Sequence, residues 1–154
     1  MHKEKYDENV IYHEIEDGKK YNIIGYDIEV LDLYSEESEL YGFQTKLNNR
    51  KVLTFLADAP LSTKIYAKIK NTDWALSEVF CLEADKEVFK PHEKNHSTVK
   101  DICEIIENLK IKNLVLWHIG DKRMENRKEK FEKEGKEFFS GNLYVPDDLD
   151  VINL

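Results

Sequence analysis

An α/β fold on one mixed sheet, with antiparallel hairpins first and βαβ units later, is the architecture this sequence predicts. Three observations carry that expectation. Turn signals at Asp17-Gly18 and Asn48-Asn49-Arg50 separate short runs early in the chain, the pattern of hairpins. The stretch from Thr72 to Asp121 reads as strand, loop, helix, strand. Its closing run, Asn113–Trp117, is apolar after the first residue, as in a strand buried on both faces.

Taken in order, residues 1–9 are polar and expected to fray. Val10–Glu16 and Lys19–Ile24 flank Asp17-Gly18, which favours a two-residue hairpin turn, and Gly25 allows a bend. From Tyr26 the alternation is clear, with Tyr26, Ile28 and Val30 on one side and Asp27 and Glu29 on the other. Ser35–Glu39 is a charged loop, and Gly42–Leu47 with Lys51–Leu56 makes a second hairpin. Ala57-Asp58-Ala59-Pro60 stops that strand, because proline cannot continue the ladder. Leu61–Lys70 fits a short helix with Leu61, Ile65 and Ile69 on one face.

Trp74–Phe80 is a short strand, apolar apart from Ser77 and Glu78. Ser97–Thr98 can cap a helix, and Thr98-x-x-Asp101 has the spacing of a capping box. Val99, Ile102, Cys103, Ile105, Ile106 and Leu109 then recur at helical spacing. A charged helix is expected over Lys122–Glu134, stopped by Gly135 in a left-handed cap. Gly141–Val145 reads as a last short strand before the tail at Pro146. No internal repeat or linker interrupts residues 1–154, so a single domain is expected.

The net charge of −8 argues against broad, nonspecific nucleic-acid binding, which needs lysine and arginine for phosphate contacts. Basic residues do crowd Lys122–Lys136, but glutamates interleave there. The segment is a solvated helix with i,i+4 ion pairs, or it docks an acidic ligand or RNA. No apolar run has the length of a membrane span, and the first residues lack the apolar core of a signal peptide. Cys81 and Cys103 form no disulfide framework; both read as reduced, and the expected location is cytoplasmic.

Four residues could carry chemistry. Asp58 follows a strand, Glu78 interrupts one, His96 precedes a helix and His118 ends the next strand. All four belong to strand ends or the loops leaving them, and together they offer the donor types of a zinc, manganese or iron site. Each also has a plainer reading. Asp58 caps the following helix, Glu78 pairs with a lysine at an edge, His96 is a surface loop residue, or His118 is a satisfied strand-end histidine. His92-x-x-x-His96 is no helical ligand pair, since the capping signals place both before the helix.

Val52–Pro60 (VLTFLADAP), Trp74–Cys81 (WALSEVFC), His96-Ser97-Thr98 and Asn113–His118 (NLVLWH) resemble the second half of metallo-β-lactamase-fold hydrolases, the ribonuclease Z branch above all. Leu143–Ile152 (LYVPDDLDVI) is similar to that family's closing strand and tail, so the resemblance runs from Tyr26 to the C-terminus. It implies the second half of a four-layer αββα sandwich, a mixed sheet with helices on one face, and a two-metal site at the sheet edge. By position, Asp58 matches the aspartate that bridges the metals and His118 the last histidine ligand. Glu78 and His96 match a proton relay beside the scissile phosphate.

The family's His-x-His-x-Asp-His string does not occur, and Tyr34 and Ser77 stand where it places histidines. The resemblance therefore implies a ribonuclease Z-like, metal-dependent hydrolase acting on phosphodiesters or RNA, incomplete as a lone chain. Zinc or manganese would bind weakly or with a partner's help. The alternative is a non-catalytic homodimeric binding or scaffold module derived from that fold. Half a sandwich leaves one sheet face open to water, which implies a partner, either a second copy or a complementary first half.

Overall fold

Strands that run parallel cannot be joined by a tight turn, and the second half of this chain is built around that requirement. The computed structural model describes residues 11–35, 38–120 and 125–154. Its seven strands are β1 (Lys20–Ile23), β2 (Tyr26–Asp32), β3 (Tyr41–Lys46), β4 (Val52–Phe55), β5 (Trp74–Glu78), β6 (Asn113–Trp117) and β7 (Asn142–Tyr144). They form one sheet whose spatial order follows the chain. The pairs from β1 to β4 are antiparallel, and those from β4 to β7 are parallel. The parallel crossovers carry α1 (Tyr66–Ile69), then α2 (Lys86–Phe89) with α3 (Val99–Asn108), and then α4 (Arg127–Phe138). Each crossover steps one strand further in the same direction, so crossovers of one hand put the packed helices on one face.

That face holds the main core. Ile65 and Ile69, Ile102, Cys103 and Ile106 of α3, and Phe131 of α4 pack on Leu31, Ala75, Val79, Leu114 and Leu116 of the sheet side. Each fully buried Ile, Leu, Val or Phe among them contributes roughly 1.5–3 kcal/mol. Helix α3 starts as its sequence demands. Thr98 Oγ1 accepts the Asp101 N–H while Asp101 accepts the Thr98 N–H, a complete capping box.

Among the described residues no helix covers the opposite face. Phe43 and Phe55 (ring centroids 5.2 Å apart), Phe55 and Trp117 (5.1 Å) and Trp74 and Tyr144 (5.3 Å) tile it. The C-terminal tail crosses these rings. Ile152 packs on the cluster of Leu53, Trp74 and Val115, and Asn49 Nδ2 donates to the Leu154 carbonyl at 3.0 Å. Leu149 and Val151 of the tail remain exposed. Among the described residues no helix is long and apolar enough to cross a membrane.

Three sequence expectations need correction. The first hairpin turns at Ile24-Gly25, pairing Ile23 with Tyr26, and not at Asp17-Gly18. Both turn residues have positive φ, 46° and 91°, as a type I′ turn requires. Asp17-Gly18 is instead an anchoring turn: Asp17 accepts the Asp32 N–H at 2.8 Å and holds Lys68, and residues 11–16 form no strand. The charged helix begins at Arg127 and continues through Gly135 to Phe138. Gly135 is there for proximity, since an added Cβ would overlap Leu143 and lie 3.3 Å from Cys103 Sγ. Finally, Leu61–Lys70 is not one helix but a 3-10 turn, Thr63–Ile65, running into α1. The expected frayed residues 1–9 and the helix start at Lys122 and Arg123 lie outside the described residues, as do Glu36 and Glu37 of the charged loop.

Gly42 leaves no room for a side chain in the sheet. A Cβ there would overlap the Phe55 carbonyl oxygen, a backbone atom of the paired β4. We expect Gly42→Ala to lower stability by about 1–3 kcal/mol, seen as a lower urea midpoint at unchanged slope. An unchanged midpoint would mean that β3 and β4 can part there without cost.

Candidate metal centre

Strands β4, β5 and β6 are adjacent, parallel and end at one rim, the place where ligands of α/β sheets usually bind. Each contributes to that rim. Beyond β4, Leu56 still donates to the Leu76 carbonyl at 2.8 Å, and Ala57 then turns into the left-handed region at φ 47°, bringing Asp58 onto the rim. Glu78 is the last residue of β5, and by strand alternation it shares the aromatic face with Trp74 and Leu76. Beyond β6, His118 also turns left-handed, at φ 53°.

His96 arrives from the loop before α3. Phe80 donates its N–H to the Ser97 carbonyl at 2.9 Å, and Val99 donates to the Cys81 carbonyl at 3.0 Å, so this loop runs beside the extension of β5. The His96 ring stacks on Phe80, with centroids 4.8 Å apart and planes 8° from parallel. Gly120 makes room for that stack, because a Cβ would come within 2.7 Å of the Phe80 ring. This supporting layer was not anticipated from the sequence.

The structure therefore brings all four predicted residues together. Asp58 Oδ1 lies 3.0 Å from His118 Nδ1 and 3.4 Å from His96 Nδ1, and Glu78 Oε2 lies 3.3 Å from His96 Nδ1. Glu78 has no exposed side-chain surface, His96 is 21% exposed, and Asp58 and His118 are 42% and 49% exposed. Glu78 Oε1 accepts the Ser97 N–H at 2.9 Å. Its Oε2 and His96 Nδ1 are both buried yet have no hydrogen-bond partner. Their 3.3 Å separation is an ion-pair distance, but the two groups are not aligned for a hydrogen bond.

Of the two positions where the resemblance lacks a histidine, Tyr34 lines a cleft that also contains His96. Ser77 is fully buried, on the helix side of β5, with its hydroxyl unpaired.

Two orphaned buried atoms facing a half-exposed carboxylate fit a cation. Asp58, Glu78 and His96 each place one donor atom within 4.8 Å of the others, and His118 adds a second imidazole. The spacings join the donors in a row, His118 to Asp58 at 3.0 Å, Asp58 to His96 at 3.4 Å and His96 to Glu78 at 3.3 Å, with His118 outside the mutually close group. Histidine nitrogen and carboxylate oxygen suit zinc, and manganese is served by the carboxylates.

Desolvation pushes the Glu78 carboxyl from 4.5 up to about 7; the Ser97 N–H opposes the shift and the Asp58 charge adds to it. A carboxyl with a raised folded-state value binds its proton more tightly when folded, so stability is fully present below pH 4.5 and is lost as pH rises towards 7. The shift corresponds to about 3 kcal/mol. In metal-free protein kept in chelator, Glu78→Gln is expected to remove most of this pH dependence and to be the more stable form at pH 8. Urea unfolding at pH 4.5 and 8 measures it. Parallel pH profiles for the two proteins would rule out Glu78 as the source.

No family model and no curated protein matches the sequence. Solved structures do match. The metallo-β-lactamase fold protein YhfI from Bacillus subtilis superposes with a TM-score of 0.69 at 16% identity, over 86% of this chain and 52% of that one. The short form of human tRNase Z gives 0.62 at 15% identity, over 86% and 45% of the two chains. Zinc-bound PqqB from Methylobacterium extorquens gives 0.60 at 15% identity, over 89% and 51%. The chain spans about half the length of these structures, and over that span it has the metallo-β-lactamase fold.

Proposed function

We propose that this chain is the catalytic-rim half of a metal-dependent hydrolase of phosphodiesters, ribonuclease Z-like in its chemistry. Asp58 and His118 are its metal ligands, and Glu78 and His96 its proton relay. The observation that carries this reading is the convergence of four groups at one rim, with Asp58 Oδ1 3.0 Å from His118 Nδ1 and 3.4 Å from His96 Nδ1, and Glu78 Oε2 behind His96 at 3.3 Å. A fold likeness to a tRNase Z and to a zinc-bound protein supports it.

Held by Asp58 and His118, zinc or manganese would make a nearby water more acidic and would offset charge on the phosphoryl oxygens. The chain's own residues do the rest. The Asp58 carboxylate lies between the two imidazoles, 3.0 Å from one and 3.4 Å from the other, and fixes their separation. Glu78, held by the Ser97 N–H, faces His96 Nδ1 at 3.3 Å. His96 Nε2 is then the atom that protonates the leaving alkoxide, and Phe80 holds the ring in plane while it does so.

A second ligand assignment has its own support, because Asp58, Glu78 and His96 form the tightest donor group. Calorimetric zinc titrations of single variants separate the two. Under the first assignment, Asp58→Ala and His118→Ala weaken zinc at least tenfold, whereas Glu78→Gln and His96→Ala retain zinc and lose turnover of bis-p-nitrophenyl phosphate. Loss of zinc from Glu78→Gln or His96→Ala, with His118→Ala unaffected, overturns it in favour of the second.

Four protein donors do not complete a two-metal site, and among the described residues no helix covers the aromatic face beside them. The partner we propose is a second sheet layer bearing further histidines, supplied by a complementary half of the fold. Mass determination with metal analysis on one sample tests this. A dimer of this chain that holds zinc would replace the complementary half with a second copy. A metal-free dimer unaffected by chelator would support the non-catalytic scaffold.

A further inference from the structure

The tail after β7 lies on the aromatic face without joining the sheet. Past Pro146 it makes one backbone–backbone hydrogen bond among the described residues, from the Asp150 N–H to the Asp147 carbonyl at 3.1 Å. Its other ties involve side chains. Ile152 packs on Leu53, Trp74 and Val115, and the Leu154 carbonyl accepts from Asn49. Asp147 and Asp150 pair with Arg127 and Lys128 at 3.7 and 2.7 Å. The same Asp150 oxygen accepts the Asp147 N–H at 3.0 Å, so the Lys128 pair also holds the turn shut. Ion pairs this near the surface contribute little and are screened by salt.

The turn that lays the tail down is strained. Leu149, third of the four residues from Asp147 to Asp150, has φ 73°. That region suits glycine or asparagine at this turn position and disfavours a bulky side chain. Leu149 is 99% exposed, so no packing offsets the strain. The cover is also incomplete. Trp74 is 3% exposed, yet its indole N–H, like that of Trp117, has no acceptor, and a buried donor left unmet is costly. One apolar side chain and screened charges therefore hold the tail over a donor it does not satisfy.

We propose that residues 147–154 are a latch on the aromatic face. Closed, they occupy ground that a second sheet layer needs; they leave through the turn at Leu149 when that layer docks. The turn also reaches the rim, since Asp147 and Asp148 wall a cleft with Trp117 and His118. The need for a second layer rests on the reading given above, but the latch itself is tested in this chain without metal.

Both tryptophans of the chain lie on the latched face, so intrinsic fluorescence reports on it. In chelator, acrylamide quenching and the binding of anilinonaphthalene sulfonate, a dye for exposed apolar surface, are compared for wild type, Leu149→Pro and Leu149→Gly. Unchanged circular dichroism shows that the variants fold. Proline cannot adopt a positive φ and holds the latch open; glycine relieves the strain and holds it shut. Leu149→Pro is expected to raise quenching about twofold and dye binding about fivefold. Salt at about 1 M should move wild type the same way, and Leu149→Gly should lower both signals below wild type. Equal signals in all three proteins overturn the latch. So does a Leu149→Pro dimer in sedimentation with wild-type quenching, which would mean that copies exchange their tails. A responsive face in a chain that binds no zinc would retain the latch and count against the hydrolase. Zinc binding with an unresponsive face would do the reverse.

Discussion

A carboxyl group with no exposed surface, at the end of a central strand, is the constraint around which the rim is arranged. Glu78 could be buried as an ion only at a cost of several kcal/mol unless partners met both oxygens. One oxygen is met by the Ser97 N–H. The other faces an imidazole that is near enough to attract it and too misaligned to satisfy it. Everything that fixes His96 therefore bears on Glu78 as well: the Phe80 stack, the gap left by Gly120, and the strand-like run of Ser97–Val99 beside Phe80 and Cys81. The half-satisfied geometry marks the site more sharply than any single distance does.

The sheet explains why these groups meet. Because its order follows the chain, β4, β5 and β6 are neighbours and their carboxyl ends coincide. Glu78 is on the side opposite the helices, at the upper margin of the aromatic face. The rim and that face are thus one continuous surface, and whatever lies against Phe55 and Trp117 also borders the donors. The tail occupies part of it through Ile152.

Much of this was legible in the sequence, for identifiable reasons. The Asn48–Arg50 turn, the Thr98-x-x-Asp101 box and the Asn113–Trp117 run rest on local chemistry, and each forms where expected. The four rim residues could be picked out because each stands beside a local signal: Asp58 after a strand, Glu78 within one, His96 before a helix cap and His118 at a strand end. Local signals failed where a distant neighbour decides. Gly135 has the sequence context of a helix stop, but it serves Leu143 and Cys103 across the packing interface. Asp17-Gly18 is the better hairpin dipeptide, yet the length of β2 and its pairing with Lys20–Ile23 select Ile24-Gly25. The stacking of Phe80 on His96, and the tie from Asp101 to His92, join residues whose spacing carries no pattern.

Ala57 and His118 have a wider consequence. Both hold left-handed backbone at the ends of adjoining rim strands, without being glycine. Such conformations cost of order 1–3 kcal/mol each and persist only where the surroundings enforce them. A glycine at Ala57 would relax the backbone and free the direction of the Asp58 carboxylate, whereas at His118 it would relax the backbone only by removing the imidazole. Selection for thermal resilience alone would favour that exchange, and selection for chemistry would oppose it. Under the proposed function, durability and reactivity make opposite demands on the same two peptide units of the rim.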